Sequence, residues 1–142
     1  MPKVTRSALV SFSADQMFSL VNDVARYHEF LPGCSGSRVI ESSDLSMVAS
    51  VDVSKAGISK TFTTSNRLAD GAEILMELVD GPFKKLQGGW YFTPLDEQAC
   101  KVELKLEFEF SSRMIEMAFG KVFNELTSNM VSAFSQRAKQ VY

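Results

Sequence analysis

The residues that could carry out covalent chemistry in this 142-residue chain are few. There is one histidine, His28, and there are two cysteines, Cys34 and Cys100. A nucleophilic triad needs a base held beside its nucleophile, and no serine or cysteine can be assigned to His28 from its spacing. No phosphate-binding glycine loop and no metal-ligand spacing occurs. The two cysteines are too few and too far apart for a disulfide framework or a zinc site, so both are read as free thiols. Arg6 shares a strand face with Val4 and Ala8. It could be a polar group inside a pocket, but a place at a cavity mouth or in a salt bridge is the better expectation.

Binding chemistry is better represented. Eleven Phe and seven Met stand out. Phe brings large buried area, and Met adapts to irregular space and varied ligands. The candidates to line an apolar site are Phe62, Met76, Trp90, Phe92, Leu106, Phe108, Phe119, Phe123 and Met130. Each buried CH₂ of a guest contributes roughly 0.8 kcal/mol, so a few isoprenoid units need few polar contacts. The competing reading is that these side chains simply fill a core. A second set is basic. Lys55 and Lys60 flank the Ala56-Gly57 turn, and Lys84 and Lys85 follow the Gly81-Pro82 turn. Converging at one end of a sheet, they could touch phosphates, and such binding would be salt-dependent. As solvated turn residues they would do nothing of the kind.

Composition limits the setting. With 15 basic and 17 acidic residues the net charge is −2, so no global positive field advertises nucleic acid. A hydrophobic fraction of 45% is that of a folded protein, and the length fits one domain over residues 1–142. No apolar run approaches the roughly 18 residues of a membrane span, and the N-terminus lacks a signal-peptide pattern. A cytoplasmic protein is expected.

The elements that must position these residues follow from periodicity. Val4, Ala8, Val10 and Phe12 mark a first strand, with Leu9 suggesting partial cover on its second face. Ser13 and Gln16 open a helix as a capping box, and Met17, Phe18, Leu20, Val21 and Val24 form its apolar side. A short helical turn over Val24–Tyr27 follows, and Pro32-Gly33 ends it. Strands are expected over Ser37–Glu41, around Met47–Val53, and along Phe62, Thr64, Asn66 and Leu68, which share a face. Asp70-Gly71 signals a hairpin, Glu73–Val79 a strand, and Asp80-Gly81-Pro82 a turn. Leu86, Gly88, Trp90 and Phe92 share the next strand's face, with Gly88-Gly89 suggesting a bulge or bend. Pro94–Gln98 reads as a loop. Lys101–Phe110 alternates charge and apolar residue perfectly, as a strand wet on one side does. From Arg113 to Val141 the period becomes helical, with Ile115, Phe119, Val122, Leu126, Met130 and Ala133 on one stripe. The sum is an α+β fold in which a curved antiparallel sheet of about six to seven strands grips the last helix.

Tyr27-His28-Glu29-Phe30-Leu31-Pro32-Gly33-Cys34 resembles the Tyr-x-x-Phe-Leu-Pro-x-Cys motif of the RatA and coenzyme Q-binding family, which is START-like with a helix-grip fold. Asp52–Thr64, Leu78–Leu86, Gly88-Gly89-Trp90, the Ala118–Phe123 segment and Arg137–Tyr142 are similar as well, so the resemblance runs the length of the chain. It implies a non-catalytic protein that needs no cofactor, holds a ubiquinone-like isoprenoid quinone or similar lipid, and supports respiration. It also implies a second activity, that of a toxin in a toxin–antitoxin pair which binds the large ribosomal subunit and blocks subunit association. An aromatase or cyclase is a distant third. Tyr27, Phe30 and Leu31 fall where relatives place a lid or entrance. A quinone carrier must meet a bilayer, so transient contact at the inner membrane is expected, with Phe30, Leu31 and Phe83 as its exposed apolar groups. His28 occupies a variable position of the motif and is expected to have no catalytic role.

Overall fold

The computed structural model describes residues 3–55, 57–69 and 73–142. The chain opens with strand β1 (Lys3–Val10) and helix α1 (Ala14–Asn22), which leads into a 3₁₀ helix over Val24–Glu29. Ser13 starts α1 as its sequence demands. Its hydroxyl accepts from Gln16 N–H at 3.1 Å, and Gln16 Oε1 accepts from Ser13 N–H at 2.9 Å. Strands β2 (Cys34–Ser42), β3 (Ser46–Lys55), β4 (Ile58–Ala69), β5 (Glu73–Asp80), β6 (Phe83–Asp96) and β7 (Ala99–Phe110) follow, and helix α2 (Arg113–Val141) closes the chain.

All seven strands pair antiparallel in the order β1-β7-β6-β5-β4-β3-β2. The two short helices carry the chain from one sheet edge to the other, and β2 to β7 then return by adjacent pairing. In β7 the even-numbered residues from Cys100 to Phe110 are all buried, and they face α2 and its neighbours. Ser112 caps α2, accepting from Ile115 N–H at 3.1 Å. Phe119, Phe123, Leu126, Val131, Phe134 and Ala138 are the buried side of that helix. One end of the core is aromatic: Phe83, Phe108 and Phe123 meet edge to face, with Phe83–Phe123 and Phe108–Phe123 centroids both 4.9 Å apart.

Several expectations need correction. Leu9 is 72% exposed, so nothing covers the second face of β1. Pairing across Gly88-Gly89 runs without a register shift. Gly88 has another use: with φ +157, a Cβ there would lie 2.0 Å from the Lys105 carbonyl oxygen, so only glycine allows β6 and β7 to approach this closely. Pro94–Gln98 is not all loop, because β6 continues to Asp96 and the irregularity falls between Pro94 and Asp96, where a proline is tolerated. Strand β2 begins at Cys34, not Ser37. The Asp70-Gly71 hairpin and Ala56 of the Lys55-Ala56-Gly57 turn lie outside the described residues.

Candidate functional site

Between α2 and the inner face of the sheet lies a cavity of about 60 Å³. Alternation along the strands aims its walls: Ala49 and Val51 on β3, Phe62, Thr64 and Asn66 on β4, Met76 on β5, Leu86 and Trp90 on β6, Leu104 and Leu106 on β7. The 3₁₀ helix and the loop after it contribute Val24, Tyr27 and Leu31. One stripe of α2 supplies Phe123, Leu126, Thr127 and Met130. Of these, Val51, Phe62, Met76 and Met130 are only half-buried, so the lumen comes nearest to solvent between α2 and strands β3 to β5.

The structure gathers Tyr27, Leu31, Phe62, Met76, Trp90, Leu106, Phe123 and Met130 around this lumen. Phe92, Phe108 and Phe119 are buried elsewhere and do not line it. Phe92 packs against Phe18 of α1, and Phe108 and Phe119 belong to the aromatic end of the core. Phe30 lies on the outer side of the loop, its ring beneath the Arg137 guanidinium and 5.2 Å from the ring of Phe134. Sequence reasoning missed the apolar Val24, Val51, Leu86, Leu104 and Leu126, and it missed the small and polar part of the lining. Ala49, Thr64, Asn66 and Thr127 were not among the candidates, although Thr64 and Asn66 follow Phe62 on the same face of β4. A polar pair on an apolar strand face was the available signal.

The polar groups of the lining are mostly committed to the protein itself. Tyr27 donates its hydroxyl to the Val21 carbonyl at the end of α1. Burial, then the nearby Cys34 and Asp23, push its phenol far above the usual range. Thr127 donates to the Phe123 carbonyl at 3.0 Å, and Thr64 donates to Asn66 Oδ1 at 2.8 Å. Beside the cavity, burial raises the Cys34 thiol to about 11, so it stays protonated at neutral pH. Both cysteines are free and buried. No cluster able to hold a metal occurs among the described residues.

The seam between α2 and the rest is tied on its outer side by charge. Lys55, at the end of β3, pairs with Glu125 of α2, and this lysine holds the Glu125 carboxyl below its usual range. Arg137 of α2 pairs with Glu29 at 2.7 Å while covering Phe30. The exposed Lys55–Glu125 pair contributes little, while the Arg137 side chain is half-buried.

The basic set is less free than its spacing suggested. Lys55 is engaged by Glu125, Lys85 lies 3.5 Å from Glu107, and Lys60 is half-buried, which leaves Lys84 exposed. Arg6 reaches neither the lumen nor a carboxylate. It donates to the Thr5 carbonyl and to Ser128 Oγ of α2 in an open groove. His28 is exposed, with Nδ1 3.4 Å from Ser37 Oγ. Leu31 and Phe83 are buried, so they offer no apolar surface to a membrane. The most exposed large apolar side chains of the described residues are Met114 and Met117 in the first turns of α2, with Leu9 and Leu45 close behind on the sheet side. No helix is long and apolar enough to cross a membrane among the described residues.

A family profile described as polyketide cyclase / dehydrase and lipid transport matches residues 10–135. A Vibrio cholerae protein named ribosome association toxin RatA is 79% identical over 142 residues, covering 100% of this chain and 99% of the relative. The chain belongs to the START-like helix-grip family of RatA and coenzyme Q-binding proteins. A mitochondrial coenzyme Q-binding protein homolog of Xenopus laevis is 25% identical over 142 residues, covering 97% of this chain and 58% of the relative. Among solved structures, the Zhui aromatase/cyclase from Streptomyces aligns with a TM-score of 0.86 over 98% of this chain and 94% of its own, at 17% identity, which shows the fold alone. The RatA and coenzyme Q-binding family thus shares its architecture with cyclases, and its profile is one of binding and lipid transport as well as cyclisation.

Proposed function

We propose that this protein is a non-catalytic binder of an isoprenoid quinone or a closely related lipid, and that it supports respiration by holding that lipid out of water. The observation that carries this reading is the cavity itself. Its lining is apolar apart from Tyr27, Thr64, Asn66 and Thr127, and its one titratable group, the Tyr27 phenol, is tied to a carbonyl and held protonated by burial. Such a site has solvation to offer a guest but no acid, base or nucleophile. The Xenopus relative's name supports the choice of ligand.

At about 60 Å³ the closed lumen is far below the roughly 300–1,000 Å³ of pockets that hold drug-sized ligands. A guest must therefore displace wall side chains. Met76 and Met130 are unbranched and half-buried, and they are the groups best suited to move. Loading needs the seam between α2 and strands β3 to β5 to part, and that seam is bridged by the exposed Lys55–Glu125 pair, which yields readily. The test is native mass spectrometry of freshly purified protein with organic extraction of what it carries. A quinone or added short-chain ubiquinone at near-stoichiometric occupancy is expected. A protein that stays empty would overturn the reading.

A second reading has its own support. The 79% identity to the Vibrio protein spans the whole chain, and that protein's name is ribosome association toxin. On this reading the chain binds the large ribosomal subunit through its surface and blocks translation initiation, with an antitoxin as partner. Lys84 is the exposed lysine of the basic set, and Lys60 is half-buried. Cosedimentation with large subunits that is lost in a Lys60→Glu, Lys84→Glu double variant would support it. Retention in that variant would remove these two residues from the interface. The two activities use different parts of the molecule, so one protein can have both.

A further inference from the structure

Asn66 is 6% exposed and lies on the cavity wall, between Met47 of β3 and Met76 of β5 in the sheet register. An amide carries two donor hydrogens and an acceptor oxygen, and burial makes any of these expensive to leave unmet. Thr64, two residues back on the same strand face, donates to Oδ1 at 2.8 Å and so orients the amide. The Nδ2 end then has no partner among the described residues. Elsewhere in the lining the hydroxyl hydrogens are used. Tyr27 gives its own to Val21, and Thr127 gives its own to Phe123. Asn66 Nδ2 is therefore a side-chain donor left over for a guest, and the Trp90 indole N–H is another on the same wall with no partner among the described residues.

We propose that Asn66 is a specificity-determining residue of the cavity, with its Nδ2–H donating to a carbonyl oxygen on the bound lipid. The inference rests on the lipid-binding reading and names the class of ligand it selects: a ring or chain bearing a carbonyl, with an apolar isoprenoid portion filling the rest. A hydrocarbon of the same shape would leave the amide hydrogens unmet, and discrimination by an unmet buried donor is strong. Thr64 acts through Asn66 as a positioning residue, because without its hydroxyl the amide is free to turn.

Trp90 is the chain's single tryptophan and lines the cavity, so its fluorescence reports what enters. The experiment titrates wild type, Asn66→Leu and Thr64→Val with two probes. One is ubiquinone with two isoprene units, and the other is the same prenyl chain on a benzene ring without oxygens. For Asn66→Leu the account expects a roughly tenfold loss of quinone affinity with the oxygen-free probe unchanged or tighter. For Thr64→Val it expects a smaller loss confined to the quinone. Circular dichroism checks folding, and Asn66→Val, with a residue that strands favour, replaces the leucine variant if that one fails to fold. Quinone affinity unchanged in the folded Asn66 variant, or both probes weakened equally, would overturn the inference and leave the cavity reading standing. Wild-type protein that binds neither probe would overturn both.

Discussion

Replacing Ala49 with valine should stabilise this protein while impairing its uptake of ligand. Ala49 is buried on β3 and faces the lumen. An empty space of about 60 Å³ in a core, at about 24 cal/mol per Å³, withholds about 1.4 kcal/mol from the folded state. Valine adds two methyl-sized groups there, which on burial contribute about 0.8 kcal/mol each, and its branched side chain suits a strand. The ceiling set by the cavity and the gain from the side chain therefore agree, and about 1 kcal/mol of net stabilisation is expected once imperfect fit is allowed for. For a chain of this length that is a rise of about 3 °C in Tm, with a matching shift of the urea midpoint at constant slope. The same methyls occupy the space a guest must use, so occupancy by short-chain ubiquinone should fall in the same sample. Destabilisation would mean that the lumen is not space available to a side chain at this position. Stabilisation with unaltered uptake would mean that ligand binds elsewhere.

Four further outcomes are expected. Gly120→Ala should raise stability by about 1 kcal/mol in urea denaturation, because a Cβ there meets the Phe110 ring at an ordinary 3.6 Å and α2 gains helix propensity. Tyr27→Phe should lower stability by about 1–2 kcal/mol by the same measurement, since it strips the Val21 carbonyl of its buried donor. Asp52 is held below its usual range by hydrogen bonds from Arg38 and Thr61, so its contribution is present above about pH 4 and is lost as pH falls through its lowered folded value. Asp52→Asn should accordingly flatten the acid limb of a stability–pH curve while leaving the slope near neutrality alone. Lys55→Ala should speed ligand exchange, and raising the salt concentration should speed it in the wild type but not in the variant, as read by stopped-flow Trp90 fluorescence.

Much of the architecture was legible because it repeats. The strict alternation from Lys101 to Phe110 could only be a strand wet on one face, and the α2 stripe from Ile115 to Ala133 could only be a helix on an apolar bed. The α1 start was readable from Ser13 and Gln16 alone, since a capping box is local. What failed was non-local. The alternation puts Phe92, Phe108 and Phe119 on the correct inner faces, but a face does not say which part of the core a side chain fills: Phe92 packs on Phe18 of α1, and Phe108 and Phe119 fill the solid aromatic end. Lys55 and Lys85 looked like free cations because the partners that neutralise them, Glu125 and Glu107, are 70 and 22 residues away. Pro94 looked like a loop residue because proline removes a ladder donor, yet the irregularity after it lets β6 continue. Of the lining residues that were missed, Ala49, Thr64, Asn66 and Thr127 are small or polar and an apolar-only search passes over them, whereas Val24, Val51, Leu86, Leu104 and Leu126 look like any other core residue until the fold brings them to the lumen.

The most direct test of the central claim is native mass spectrometry of the purified protein titrated with ubiquinone of two isoprene units, with large ribosomal subunits offered to the same preparation in a sucrose gradient. The account predicts a saturable one-to-one quinone complex that forms whether or not subunits are present. A protein that sediments with large subunits but stays free of quinone at saturating concentration would contradict it, and would make the cavity part of an ordinary core.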